Sequence, residues 1–205
     1  TGETAELARV ALRGDNLLLV SARAGEPVSI KLTHNPLGKA RSQLFYVVRD
    51  PLGEQIAGEG LGKVRSADIR FTPERDGLHV VGVSAGHWGG AYRIVSANAP
   101  VGIYWPERLG VIYGAERLYF DVPGDLDTVS LKLRGRGREM IRGILRDPAG
   151  EIRDSAETSV DAIEATLSAD AEAGVWSIEL TEADTGPLED AFVGLLGRLA
   201  GEAGP

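Results

Sequence analysis

Three histidines, 30 acidic residues and a few aromatic rings are the groups from which this 205-residue chain could build chemistry. His34, His79 and His87 stand in neither an H-E-x-x-H nor an H-x-H spacing, which would put two imidazoles on one zinc ion. No G-x-S-x-G elbow, P-loop or strand-borne G-x-G-x-x-G occurs, and Gly135-Arg136-Gly137 lacks the third glycine. Acids are plentiful enough that motif alone does not exclude a paired-carboxylate glycosidase. Two small domains nevertheless offer little room for a deep cleft, so the expectation is a chain with no catalytic residues. Asp125 and Asp127 in GDLDT, or Asp50 with Glu54, could offer oxygen ligands to calcium, but neither matches a recognised loop. Surface acids are the plainer reading, and no metal site or cofactor is expected, with calcium left open. Cysteine is absent, which removes disulfides and thiolate sites.

The aromatic residues are more suggestive. Gly86-His87-Trp88-Gly89-Gly90 sets a tryptophan between glycines at an expected hairpin tip, and VGIYWPERLGVIYGAE carries Tyr104, Trp105 and Tyr113. Exposed rings stack on sugars or anchor protein partners. Trp88, His87, Tyr104, Trp105 and Tyr113 are therefore the candidate ligand-binding residues. The competing readings are that Trp88 folds back on its own domain and that the apolar segment serves as glue. Trp176 lies in mid-strand and is expected in the core. Arg13-Gly14-Asp15 spells an adhesion tripeptide but reads as a turn, and Arg134, Arg136 and Arg138 read as a solvated loop.

The elements that must position these residues are strands. Phe45, Val47 and Arg49 alternate with Tyr46, Val48 and Asp50, and Ile30 and Leu32 alternate with Ser29 and Lys31, the period of a half-buried strand. Between such runs stand Gly-Glu-Pro, Asp-Pro-Leu-Gly and Pro-Glu-Arg-Asp-Gly, the turn chemistry of a sandwich or jelly roll. RDPLGE at 49–54 recurs as RDPAGE at 146–151. The segment 76–83 aligns without a gap on 173–180, and Val28–Leu32 pairs with Val129–Leu133. Three blocks in one order indicate a tandem duplication of a unit of roughly 95 residues, a domain rather than a solenoid repeat. Asp154–Ala173 would read as a helix by propensity. Alignment with the first unit makes it a strand with a loop, Ile163, Ala165 and Leu167 falling near Ala67, Ile69 and Phe71. The expected fold is thus all-β: two tandem antiparallel β-sandwich, jelly-roll-like domains at 1–100 and 117–205, with an apolar interdomain linker at 101–116.

A net charge of -8 argues against nucleic acid and anionic lipid as partners, and no run has transmembrane length. The ends, Thr1-Gly2-Glu3 and Gly201–Pro205, read as those of a piece of a longer protein. The turn at Ala24–Glu26, the hairpin Asp50–Gly53, the strand Pro73–Val83 and the closing Gly90–Ile94 together resemble the bacterial pre-peptidase C-terminal domain and related jelly-roll modules of secreted hydrolases. His79 stands where that family usually has tyrosine, and the second unit lacks the Pro and Asp of the P-x-x-D-G turn. The resemblance implies a non-catalytic accessory module, secreted or periplasmic, whose partners are the catalytic domain of its parent polypeptide and a polysaccharide or protein polymer. A structural spacer is the alternative, and a stand-alone enzyme ranks below both.

Overall fold

The alternation and the turns resolve into strands throughout, and the described residues contain no helix. The computed structural model describes residues 5–6, 10–36, 43–86, 90–105 and 108–195. The chain divides into two units, Thr1–Trp105 and Pro106–Pro205.

In the first unit the strands are β1 (Ala5–Glu6), β2 (Ala11–Arg13), β3 (Asp15–Ala22), β4 (Val28–Pro36), β5 (Leu44–Arg49), β6 (Gln55–Gly62), β7 (Ser66–Phe71), β8 (Gly77–Ser84), β9 (Gly90–Ala97) and β10 (Val101–Tyr104). They form two antiparallel sheets, one in the order β2-β9-β4-β7 with β1 also on β9, the other β10-β3-β8-β5-β6. Every second residue turns inward. Leu12, Ile30, Leu32, Ile69 and Tyr92 of one sheet and Leu18, Val20, Leu44, Val48 and Val81 of the other are buried, forming a sandwich core. His34 and His79 are core residues: His34 Nδ1 lies 3.0 Å from the Val64 carbonyl, and the fully buried His79 ring stands 5.6 Å from that of Phe71.

The second unit holds β11 (Leu109–Ile112), β12 (Ala115–Val122), β13 (Thr128–Gly135), β14 (Ile141–Arg146), β15 (Ile152–Glu157), β16 (Glu164–Asp170), β17 (Gly174–Glu182) and β18 (Asp190–Leu195). Its sheets run β11-β18-β13-β16 and β12-β17-β14-β15. This is the strand order of the first unit, β2-β9-β4-β7 and β3-β8-β5-β6, element for element. Trp176, Ile178, Leu131, Leu133 and Leu145 fill the core, with Trp176 Nε1 donating to the Glu172 carbonyl at 2.7 Å. Two expectations change in detail. Within 101–116, read as a linker, Val101–Tyr104 is an edge strand of the first unit and Leu109–Ile112 a strand of the second. Ile163 lies in the exposed β15–β16 loop rather than in a strand. The inward positions of β16 are Ala165, Leu167 and Ala169, because Leu167 pairs with Leu131 as Ile69 pairs with Ile30. A slip of two residues keeps the inward face of a strand, so the alternation alone left the register open.

The repeated turn has a repeated physical cause. Asp50 N–H donates to the Glu54 carbonyl, Gly53 N–H donates to the Asp50 carbonyl, and Asp50 Oδ1 accepts from Leu52 and Glu54 N–H, all at 2.9 Å. In the second unit Gly150 N–H donates to the Asp147 carbonyl and Glu151 N–H to Asp147 Oδ1, again at 2.9 Å. Both carboxylates are buried, and each meets an arginine from a different place: Arg75 at Asp50, Arg153 at Asp147 at 3.3 Å. Burial pushes the Asp50 carboxyl up, but the Glu54 and Leu52 N–H groups and Arg75 outweigh it and hold its pKa below the usual carboxylate value. An acidic pair at Asp50 and Asp147 free for a ligand is excluded, since turn and arginine occupy both. Arg75 also reaches Glu54 at 3.4 Å, so a cation already stands beside the Asp50 and Glu54 oxygens considered for calcium. Each turn then packs on a glycine that starts the β8 or β17 strand. At Gly77 (φ 128°) a Cβ would lie 3.1 Å from Pro51 Cγ, and at Gly174 (φ 136°) 3.0 Å from Pro148 Cγ.

Candidate binding face

Of the described residues expected to bind, Tyr104 and Trp105 belong to the first unit and Tyr113 to the second. His87 and Trp88 lie outside the described residues. Tyr113 belongs to the second unit, exposed at φ 58° in the junction between β11 and β12, where its N–H donates to the Glu189 carbonyl. Trp105 follows β10 and is half-buried. Asp125 and Asp127 are exposed in the turn before β13, and no group of three or more metal-ligating side chains occurs among the described residues. Tyr104 is the one with a distinctive setting, and the register shows why.

Tyr104 on β10 pairs with Leu17 on β3, Leu17 with Gly82 on β8, Gly82 with Val47 on β5, and Val47 with Gly58 on β6. Because the residues opposite one another in a sheet share a face, this row crosses five strands on the solvent side. The next row is Gly102, Leu19, Val80, Arg49 and Gln55, and beyond it Ser21 pairs with Leu78. On the other flank Asp15, Ser84, Phe45 and Gly60 line up. The solvent face is therefore an apolar band of Tyr104, Leu17, Leu19, Val47, Val80 and Phe45. Ser84 and Asp15 border it on one flank, Ser21, Arg49 and Gln55 on the other. Phe45 is 45% exposed, Tyr104 49%, Leu17 42% and Leu78 51%. Arg49 is held at the margin, where Nη1 donates to the Gly53 carbonyl at 2.9 Å.

Glycines make the floor of this band. The Phe45 ring covers Gly60, its edge 3.1 Å from where a Cβ would stand. At Gly58 a Cβ would press on the Tyr46 carbonyl at 3.2 Å, a packing reason for that residue. Gly82 and Gly102 have no such reason. Neither has a positive φ; a Cβ on Gly82 would meet nothing nearer than Leu17 Cδ2 at 3.6 Å, and on Gly102 nothing at all. A strand-interior glycine that neither backbone nor packing demands is one mark of close approach by a ligand or another backbone.

The second unit is an internal control. In the equivalent sheet Arg142 pairs across to Glu157 where the first unit has Phe45 on Gly60, and Ile144 pairs with Glu179 where Val47 has Gly82. Arg142 is salt-bridged to Glu157 at 2.8 Å and to Asp184 at 2.5 Å. Arg146 and Ser177 replace Arg49 and Val80, and Ser155 replaces Gly58. The same strand order thus carries charged side chains at the places of Phe45, Gly60 and Gly82, beside exposed apolar residues of its own (Tyr119, Val175 and Ile152), so the architecture does not require a ring over glycines there. The second unit also has no counterpart of β10, and hence of Tyr104, among its described residues.

Tyr104 was legible as an exposed ring. Phe45, Leu17, Gly82 and Gly102 were not singled out, although LLLV at 17–20 and FYVV at 45–48 are apolar on both faces, a departure from half-buried alternation that could have pointed to them.

No protein-family model and no curated protein matches the chain. Among solved structures it is similar to the M60 catalytic domain with the CBM51-1 and CBM51-2 domains of Clostridium perfringens ZmpB. The identity is 7%, over 98% of this chain and 38% of that one, at a TM-score of 0.37. It thus spans well under two thirds of that protein's length. It is also similar to the CBM22-1-CBM22-2 tandem of Paenibacillus barcinonensis Xyn10C, at 11% identity over 87% of this chain and 73% of that one, with a TM-score of 0.27. Likenesses at these scores place the chain in neither family and carry no argument about its function.

Proposed function

We propose that this chain is a non-catalytic accessory part of a larger secreted protein, a pair of modules descended from one. In this reading the first module holds a polymeric substrate for a catalytic neighbour on the open face of β10-β3-β8-β5-β6. One observation carries it: a five-strand apolar band floored by Gly82 and Gly102 and flanked by the exposed rings of Phe45 and Tyr104. At the equivalent places the sister unit has Arg142, Glu157 and Glu179 in place of Phe45, Gly60 and Gly82. Contiguous exposed apolar surface rimmed by polar residues is a mark of an interaction site. The test is affinity electrophoresis of the full chain through gels containing soluble glycans or polypeptides, wild type against Gly82→Glu. That substitution borrows the residue of the second unit and puts a carboxylate in mid-band. Retardation lost in the variant supports the reading. No retardation by any polymer overturns it and leaves the role of a spacer that packs its apolar face on a neighbouring domain.

A further inference from the structure

We infer that the polymer is an uncharged polysaccharide laid across the strands, with Tyr104 and Phe45 beneath different sugar rings; this rests on the reading that the open face binds. The geometry sets the length. Tyr104 and Phe45 stand three strands apart and one pleat row offset, and with strands about 4.8 Å apart and alternate residues about 6.8 Å apart their anchor positions are about 16 Å from one another. A ligand that touches both is an extended chain.

The chemistry of the lining sets the class. A polypeptide laid on a sheet face rather than along an edge would press its N–H and C=O groups onto Leu17, Leu19, Val47 and Val80, which offer no partner, and each buried unpaired group is costly. Peptide recognition by sheets uses the edge for this reason. A pyranose differs because its C–H faces are apolar while its hydroxyls project around the ring perimeter. Set across the band, such rings would place C–H faces on Phe45 and Tyr104. On the Phe45 flank their hydroxyls would point to Ser84 and Asp15. A polyanion finds little to hold it, because Arg49 is the cation on these rows and is already bonded to Gly53, and the chain as a whole carries -8. Gly82, on the Tyr104 row one strand from Phe45, lies beside this path, where a side chain would lift the sugar off the sheet.

The experiment compares the neutral polymers glucomannan, mixed-linkage β-glucan and dextran with polygalacturonate and with gelatin. Retardation of the full chain is measured at low and high salt for wild type, Gly82→Glu, Phe45→Ala and Tyr104→Ala. Urea midpoints confirm that each variant is folded. The expected result is retardation by a neutral glycan, unchanged by salt, abolished by Gly82→Glu and weakened about tenfold by each ring deletion. Titration with oligosaccharides of that glycan should show affinity rising with length until both rings are spanned. Binding of polygalacturonate or gelatin instead, lost in Gly82→Glu, overturns this inference and leaves the open face as a binding site. Neutral-glycan binding that survives Gly82→Glu, or no binding at all, overturns both.

Discussion

Gly174→Ala tests the physical account of the repeated turn. The φ of 136° at Gly174 belongs to a region that residues with a Cβ enter only with strain, about 1–3 kcal/mol. The new methyl would also stand 3.0 Å from Pro148 Cγ, a contact tight enough to move the ring or the strand. Overpacking of this kind costs about 1–3 kcal/mol, and proline puckering relieves part of it, so the expected loss is about 2–4 kcal/mol. For a unit of this size each kcal/mol lowers Tm by about 4–8 °C, so the second unit should melt at least about 8 °C lower. Trp176, two residues along β17 and fully buried, reports the event by fluorescence during urea unfolding. Gly77→Ala in the first unit, with φ 128° and a 3.1 Å approach to Pro51, should cost a similar amount. The control is Gly82→Ala, where φ is not positive and the methyl meets ordinary contact; it should change stability by no more than about 0.5 kcal/mol. If Gly174→Ala is as mild as the control, the proline and glycine do not clamp each other and the reasoning fails.

The remaining predictions use other parts of the two units. The folded pKa of Asp50 is depressed, so its contribution to stability is present above the unfolded value of about 4 and is lost as pH falls through the folded value. Urea midpoints measured across acid pH should therefore fall less steeply for Asp50→Asn than for wild type. Glu164, whose carboxyl Lys132 holds low despite some desolvation, should behave likewise in Glu164→Gln. A methyl at Gly143 would stand 2.7 Å from Leu133 Cδ1 and 2.8 Å from Leu167 Cδ1, so Gly143→Ala should destabilise the second unit by about 1–3 kcal/mol in the same assay. Gly82→Glu should unfold at the wild-type urea concentration, since surface changes away from special backbone fall within about 0.5 kcal/mol.

Much of the fold could be read from residue order. Ile30 and Leu32, or Tyr46 and Val48, declare strands by period two. RDPLGE and RDPAGE declare turns because proline presets one dihedral, aspartate caps the N–H groups that follow, and glycine closes the bend. The binding face was less legible. A ring with no local packing reason, such as Tyr104, stands out in a linear reading, whereas Phe45 sits in a strand where a phenylalanine looks like core.

What residue order determined by itself is local: the alternation, the turns and the repetition of one unit. Which side of each strand faces water was decided by tertiary structure, because period two is the same from either side, and Phe45 and Tyr46 are both large, apolar and adjacent. Tyr46 went inward and Phe45 outward once β5 took its register between β6 and β8. The glycine floor was decided in the same way. Leu17, Val47, Gly58, Gly82 and Tyr104 are far apart in the chain, and only hydrogen bonding across five strands sets them in one row.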